Sequence, residues 1–408
     1  MIWRAFVCTP LFMDTSPEAE LQALSKQGLR RTLRTLDSAQ GPRTTLGAQE
    51  LVNFSSNDYL GLANHPSLLE AACSAAKNFG FGSGASRLVC GTLRPHVELE
   101  SALAKFKSSE AALVFGSGFA TGTGVLSALL GKDDTVILDK LSHACLIDGA
   151  RASGATLRVF GHNRLDQLAD ILHATRKRSA HSRIIVVTES VFSMDGDLCP
   201  LAEIVELKNR YAAWLLLDEA HATGVMGPGG RGYAAELGLS HAVDLQMGTL
   251  SKALGCHGGF VAASRTLIDL IINRARPFIY ATAPPPMLAA AARQALDLVA
   301  SEEGQMRREQ LRHNRQALAQ ALGHTHPSKS PILPYIVGSE DAAVKLSQSL
   351  QNLGILAGAI RYPTVAKGSA RIRFTVSSAH RPADFAALAS AFTSLNIIPQ
   401  DASALNPL

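Results

Sequence analysis

This 408-residue chain lacks the features that would place it in a membrane, in a disulfide framework or on nucleic acid. No uninterrupted apolar stretch reaches the ~18 residues of a membrane span, and the N-terminus has no long apolar secretion core, so a soluble protein is expected. The cysteines at 8, 73, 90, 145, 199 and 256 show no C-x-x-C spacing and no nearby ligand pairs. That pattern indicates neither a zinc site nor a disulfide framework; no metal is expected, and a reducing cytoplasm suits the chain. The formal net charge is only +5, with no basic run and no interleaved aromatics, which argues against nucleic acid. A phosphate loop of the G-x-x-x-x-G-K-[ST] kind is missing: Gly131-Lys132 is followed by Asp133 and lacks the upstream glycine, so Asp218-Glu219-Ala220-His221 is not the acidic box of an ATPase. There is no internal repeat. At 47% hydrophobic and 18% charged residues the chain is compact rather than disordered, and its length calls for a large domain plus a smaller one.

Two segments carry chemistry. In Gly248-Thr249-Leu250-Ser251-Lys252-Ala253-Leu254-Gly255 a lysine is walled in by small residues. Poor solvation disfavours the ammonium form and frees the amine to act as a nucleophile or as a partner for a carbonyl group. Upstream, the apolar run Trp214-Leu215-Leu216-Leu217 ends abruptly in Asp218, with His221 three residues on. Such a run reads as a buried parallel strand, and ligands of open α/β sheets bind at strand carboxyl ends. A lysine one strand-helix-strand unit downstream of such an acid suits pyridoxal phosphate: the lysine takes the aldehyde and the acid keeps the pyridine nitrogen protonated. His221 is placed to reach the ring's phenolic oxygen.

Other segments fit the same ligand. Gly116-Ser117-Gly118-Phe119-Ala120 follows the apolar Ala111–Phe115 and opens a helical stretch, so its backbone N–H groups suit a phosphate. Apolar strands at Val136–Leu138, Ile184–Val187, Trp214–Leu217 and Val243–Gln246 alternate with helical stretches, the pattern of a mostly parallel sheet. The segment from Gly258 to Ala263 is expected to return antiparallel, and Pro284-Pro285-Pro286 to open a long alanine-rich helix. Further strands are expected near Ile332–Val337 and Arg371–Val376. At the N-terminus Ser16 caps a helix opened by Pro17, with Leu21, Leu24, Leu29 and Leu33 on one face. Met13 is a possible alternative start.

Seven blocks in order resemble the α-oxoamine synthases, a branch of the fold-type I pyridoxal-phosphate enzymes. They are Asn53–Leu62, Phe81–Arg87, Gly116–Ala120, Leu141–Ala144, Thr188–Asp197, Asp218–His221 and the Lys252 loop. The resemblance covers nearly the whole chain. It implies an α/β, aminotransferase-like fold: an N-terminal helical segment over 1–52, a large cofactor domain over 53–299 with a mostly parallel seven-stranded sheet, and a small α/β domain over 300–408.

The resemblance also implies roles. Lys252, His143, Asp218 and His221 would be catalytic, with His143 stacked over the pyridine. Gly118, Phe119, His143, Ser193, Asp218, His221, Thr249, Lys252 and Thr282 would hold the cofactor, Thr282 reaching the partner's phosphate across a homodimer with shared active sites. Arg30, Asn57, His143, Arg361 and Thr364 would face the substrates. A register error of one residue would replace Arg30 by Arg31, and the amino-acid carboxylate could be held by Arg361, Arg371 or Arg373. Arg361 favours the branch that joins L-alanine to a pimeloyl thioester, of coenzyme A or a carrier protein, over sisters that use glycine with acetyl or succinyl thioesters. Two departures bear on acyl specificity: Ala366 stands where the family usually has proline, and the aromatic Tyr362 is atypical of the pimeloyl branch.

Overall fold

A computed structural model describes residues 16–325 and 327–397. Met1 to Phe12 and Met13 lie outside them. The strands, in chain order, are β1 (Arg43–Leu46), β2 (Gln49–Asn53), β3 (Ala111–Phe115), β4 (Thr135–Asp139), β5 (Thr156–Phe160), β6 (Ile184–Glu189), β7 (Trp214–Asp218), β8 (Leu245–Thr249), β9 (Gly259–Ala263), β10 (Ile332–Gly338), β11 (Ile355–Leu356), β12 (Gly358–Ile360) and β13 (Ala370–Thr375).

The central sheet has seven strands in the order β3-β9-β8-β7-β6-β4-β5. Strands β5, β4, β6, β7 and β8 are mutually parallel, while β9 runs antiparallel to both β8 and β3. Alternation along the strands explains why both faces are covered. Ile185, Val187 and Leu216 enter one apolar cluster, whereas Ile184, Val186, Leu215 and Leu217 enter the other. An antiparallel three-stranded sheet, β10-β13-β12, and a second small sheet, β1-β2-β11, lie outside this one. The latter pairs β2 in parallel with β11, tying the N-terminal segment to the C-terminal part of the chain.

The helix over Pro286–Ala300 begins where the proline run predicts. The first helix, Pro17–Lys26, is capped by Ser16, whose hydroxyl accepts from the Ala19 N–H. It is shorter than its leucine spacing implies. Gly28 takes a left-handed backbone (φ +66°) and the Leu29 N–H turns back to the Leu24 carbonyl, so Leu29 and Leu33 leave the helix and Leu33 is fully exposed. The strand expected at Val243–Gln246 also starts later, at Leu245, and continues through Thr249. Asp244 stands ahead of it, accepting from the Leu215 N–H and the Lys208 amine. Gly248 and Thr249 extend as strand because β9 pairs with them.

Candidate active site

Parallel strands place acids side by side at their carboxyl ends. Glu189 ends β6 directly opposite Asp218 at the end of β7. Both carboxyls are buried, and burial pushes both upward, Glu189 well above the ordinary range. For Asp218 the opposing influence is first the Lys252 amine, which lowers it. Asp218 Oδ1 accepts from the Ala220 N–H at 2.8 Å, and Glu189 Oε1 accepts from the His143 N–H at 2.6 Å. A buried carboxylate of this kind is stabilised by a cation set against it.

The loop after β8 brings Lys252 over this pair. Gly255 makes that possible: it has φ +64°, and a Cβ there would sit 2.5 Å from the Ala63 nitrogen. Lys252 Nζ lies 2.8 Å from His221 Nε2, and His221 Nδ1 lies 2.7 Å from the Tyr59 hydroxyl. Tyr59 donates to Asn57 Oδ1 at 3.0 Å. Its single hydroxyl proton is thereby used, so His221 carries its proton on Nδ1 and Nε2 accepts from the lysine. Burial, then Lys252, holds His221 well below the usual imidazole range, in agreement with a neutral ring. Burial also lowers Lys252 to about 8, although Asp218 and Glu189 act the other way. Arg373 NH1 donates to Asn57 Oδ1 at 3.1 Å, and its Nε donates to the Ser193 carbonyl at 2.5 Å.

Opposite the lysine, Ser117 caps the helix Gly118–Leu129 by accepting from the Ala120 N–H. The first-turn amides of Gly118 and Phe119 have no acceptor within the helix, which is the arrangement that receives an anion. Gly118 lies against Thr249: a Cβ there would be 3.5 Å from the Thr249 hydroxyl oxygen. Thr249 donates to the Gly258 carbonyl at 2.8 Å, and Ser251 lies 2.9 Å from the Thr249 oxygen. His143 caps the following helix, accepting at Nδ1 from the Cys145 N–H at 3.3 Å, so the proton of its neutral ring is on Nε2. Its ring meets Phe119 edge-on at 6.4 Å between centroids. Surrounding protein, opposed by Asp218 and reinforced by Lys252, lowers the His143 imidazole.

The structure thus gathers Lys252, His221, Asp218, Asn57, His143, Phe119, Gly118 and Thr249 at one end of the sheet, with the Ser193 backbone on Arg373. The remaining expected residues sit elsewhere. Thr282 is exposed and bridges to Ser86. Arg361 NH2 donates to the Arg30 carbonyl at 2.7 Å, so those two lie together by a backbone contact, with exposed Thr364 closing the turn through its N–H to the Arg361 carbonyl. Arg371 and Arg373 do share one face of β13, Arg371 pairing with Asp195 while Arg373 faces the lysine cluster.

Sequence reasoning missed Tyr59, which is wholly buried, and missed a network beside the site. His162, just beyond β5, bridges Asp139 (3.1 Å) at the end of β4 and Asp197 (2.7 Å) in the Ser193 loop. Asp139 also accepts from the Leu141 N–H, two residues before His143. Burial works against a charge on His162, yet the hydrogen bonds it donates to Asp139 and Asp197 raise it to about 10. The signal available was its position: the residue lies just past a strand's carboxyl end, where sites of this sheet type gather.

A family model described as aminotransferase class I and II matches residues 49–392. The chain belongs to the class I and II aminotransferase family. Within that class it is 46% identical over 376 residues to an 8-amino-7-oxononanoate synthase of Geobacter sulfurreducens, covering 91% of this chain and 95% of that protein. Among solved structures it is similar to a variant serine palmitoyltransferase of S. paucimobilis with a bound PLP–myriocin aldimine: TM-score 0.86, 29% identity, 93% of this chain and 98% of that one. It is also similar to the 8-amino-7-oxononanoate synthase of Francisella tularensis, with TM-score 0.71, 29% identity, 85% of this chain and 99% of that one.

Proposed function

We propose that this chain is a pyridoxal-phosphate-dependent acyltransferase that condenses L-alanine with a pimeloyl thioester, of coenzyme A or a carrier protein, to give 8-amino-7-oxononanoate, the free thiol and carbon dioxide, a step of biotin formation. The observation that carries the class is the Lys252 amine, lowered to about 8, beside His221 and the buried Asp218. The similarity to 8-amino-7-oxononanoate synthases over 91% of the chain supports the substrates.

The residues suit the cofactor. The open amides of Gly118 and Phe119 would receive its phosphate, with the hydroxyls of Thr249 and Ser251, now turned to the Gly258 carbonyl, as further donors on rotation. The Asp218 carboxyl, buried and pushed upward, is stabilised by a pyridinium set against it. His143, His221 and Ser193 would hold the ring, and Lys252 would take the aldehyde. When bound, pyridoxal phosphate supplies an electron sink for negative charge on the amino acid's α-carbon.

The chain's own residues do the rest. The Lys252 amine, poised near neutral pH, takes the α-proton and later returns it. His221, fixed as an acceptor by Tyr59 and Asn57, holds the lysine in place between those transfers. Arg373 donates only to neutral acceptors, the Ser193 carbonyl and Asn57, so its charge stays available to the alanine carboxylate, which favours it over Arg371, already paired with Asp195. His143 Nε2–H faces the reacting carbonyl as a proton donor. Arg30, Arg361 and Thr364, held together by the Arg361–Arg30 contact, would receive the acyl chain.

A homodimer in the cytoplasm completes the reading. Large apolar side chains at Phe81, Leu88, Val89, Phe119 and Tyr280 are exposed in the single chain, near the Ser86–Thr282 bridge, and a second copy would cover them and bring Thr282 to its neighbour's phosphate.

The test is a visible absorption spectrum of the purified protein, repeated for Lys252→Ala, with alanine, glycine and serine added separately. A band present in the wild type, absent in the variant and shifted by alanine supports the reading. A colourless protein that pyridoxal phosphate cannot reconstitute would overturn the class; a response to glycine alone would move the enzyme to a sister synthase.

A further inference from the structure

A second concave site lies behind the His221 turn. The helix Glu302–Leu322 carries Arg308, Arg312 and Arg315 at i, i+4 and i+7, so all three share a face. They line a cavity of about 510 Å³, closed on the other side by the Val225–Pro228 loop and by Lys329. That volume falls within the range of small-molecule sites.

The charge in this cavity is unbalanced. Glu236 is the carboxylate in its wall, and it is taken by Lys329 at 2.8 Å. Arg312 has its nearest carboxylate, Glu309, at 4.0 Å with both side chains largely in water, a contact of little worth. Arg308 is buried, and its hydrogen bond goes to the neutral Val299 carbonyl at 2.7 Å. Arg315 likewise donates to the Ser328 carbonyl, and its buried Nε has no partner among the described residues. Burial, and then the neighbouring Arg312, lowers both Arg308 and Arg315. Buried guanidinium groups are ordinarily paired with an acid, because removing the charge from water is costly. Here the acidic complement is missing among the described residues, and all three guanidinium-bearing side chains line the same cavity.

We propose that the Arg308–Arg312–Arg315 cavity binds a phosphate-bearing polyanion, a diphosphate group either free or on a nucleotide. Guanidinium forks match phosphate oxygens bidentately, and a diphosphate supplies the charge needed to offset three of them. The cavity wall is continuous with the active-site turn: Gly224 packs on Ala253, next to Lys252, and Gly230 packs on Arg308. The site is independent of the proposed reaction, so its fate and that of the reaction can be told apart.

The experiment is calorimetric titration of the cofactor-loaded protein with inorganic pyrophosphate, ADP, inorganic phosphate and citrate, followed by Arg312→Gln and Arg315→Gln. Arg312 is largely exposed, so its variant folds even if Arg315→Gln does not. One pyrophosphate per chain is expected, bound at least tenfold more tightly than phosphate or citrate and weakened about tenfold by Arg312→Gln. Equal or tighter binding of ADP would make the free anion a fragment of a nucleotide ligand and keep the proposal. Absence of binding at millimolar pyrophosphate, equal binding of citrate, or binding unchanged in both variants would overturn it.

Discussion

The lysine cluster and the Arg30–Arg361 rim are built in opposite ways. Around Lys252, Tyr59, His221, Asp218 and Glu189 are all buried, and each polar atom that matters is fixed by a neighbour. At the rim, Arg30 and Thr364 are exposed, and one side-chain-to-carbonyl hydrogen bond joins the two segments. The cluster inherits its geometry from the sheet register and the core beneath it, so it is prepared before any ligand arrives. The rim has no such support. On the proposed function, chemistry would fall to the buried residues and acyl choice to the exposed ones, which tolerate exchange at lower cost.

That contrast ranks the consequences of mutation. Lys252→Ala should lower turnover by about 10³-fold or more, since both the cofactor anchor and the proton carrier go. Stopped turnover with the fold intact by circular dichroism is the expected result. Asp218→Asn should retain cofactor but lower kcat by about 10²-fold, because a neutral amide cannot hold the ring nitrogen protonated; a loss below tenfold would show that the carboxylate is not the ring's partner. Arg373→Lys should raise the KM for alanine about tenfold with kcat nearly unchanged, the loss of a planar fork. Arg361→Ala should raise the thioester KM only about threefold, the scale of one exposed hydrogen bond. If the rim variant were as damaging as the central ones, the contrast itself would fail.

A pH series sharpens the same contrast from beside the site. His162 is raised to about 10 in the folded protein, so its contribution to stability is fully present below the ordinary imidazole value of about 6.5. It is lost as pH rises through about 10. The difference in Tm between wild type and His162→Gln should therefore shrink steadily from pH 6.5 to 10; a constant difference would mean that the ring is not charged.

The chemistry of the centre was largely legible in the sequence because strand ends and turns announce themselves. The apolar run ending at Asp218 and the glycine-flanked Lys252 needed no tertiary knowledge to be read together. Side chains that act across the fold were not legible. Tyr59 reaches His221 over 162 positions of chain, and Arg373 reaches Asn57 over 316. Nothing local in Ser369–Phe374 distinguishes Arg373 from Arg371; the choice is made by which loop residue each meets, Asn57 or Asp195. The fully buried pair Lys107–Glu219 was equally hidden, since a lysine near a helix end ordinarily reads as solvated. The strand at Leu245–Thr249 was misjudged at both ends because Asp244 caps it and Gly248-Thr249 extends it only through pairing with β9.

Most direct is a mass-spectrometric competition: the purified protein, pimeloyl-CoA, and equal concentrations of alanine, glycine and serine in one reaction. 8-Amino-7-oxononanoate is the expected dominant product, with coenzyme A released in equal amount. A dominant glycine- or serine-derived amino ketone, or no amino ketone from pimeloyl-CoA, would contradict it.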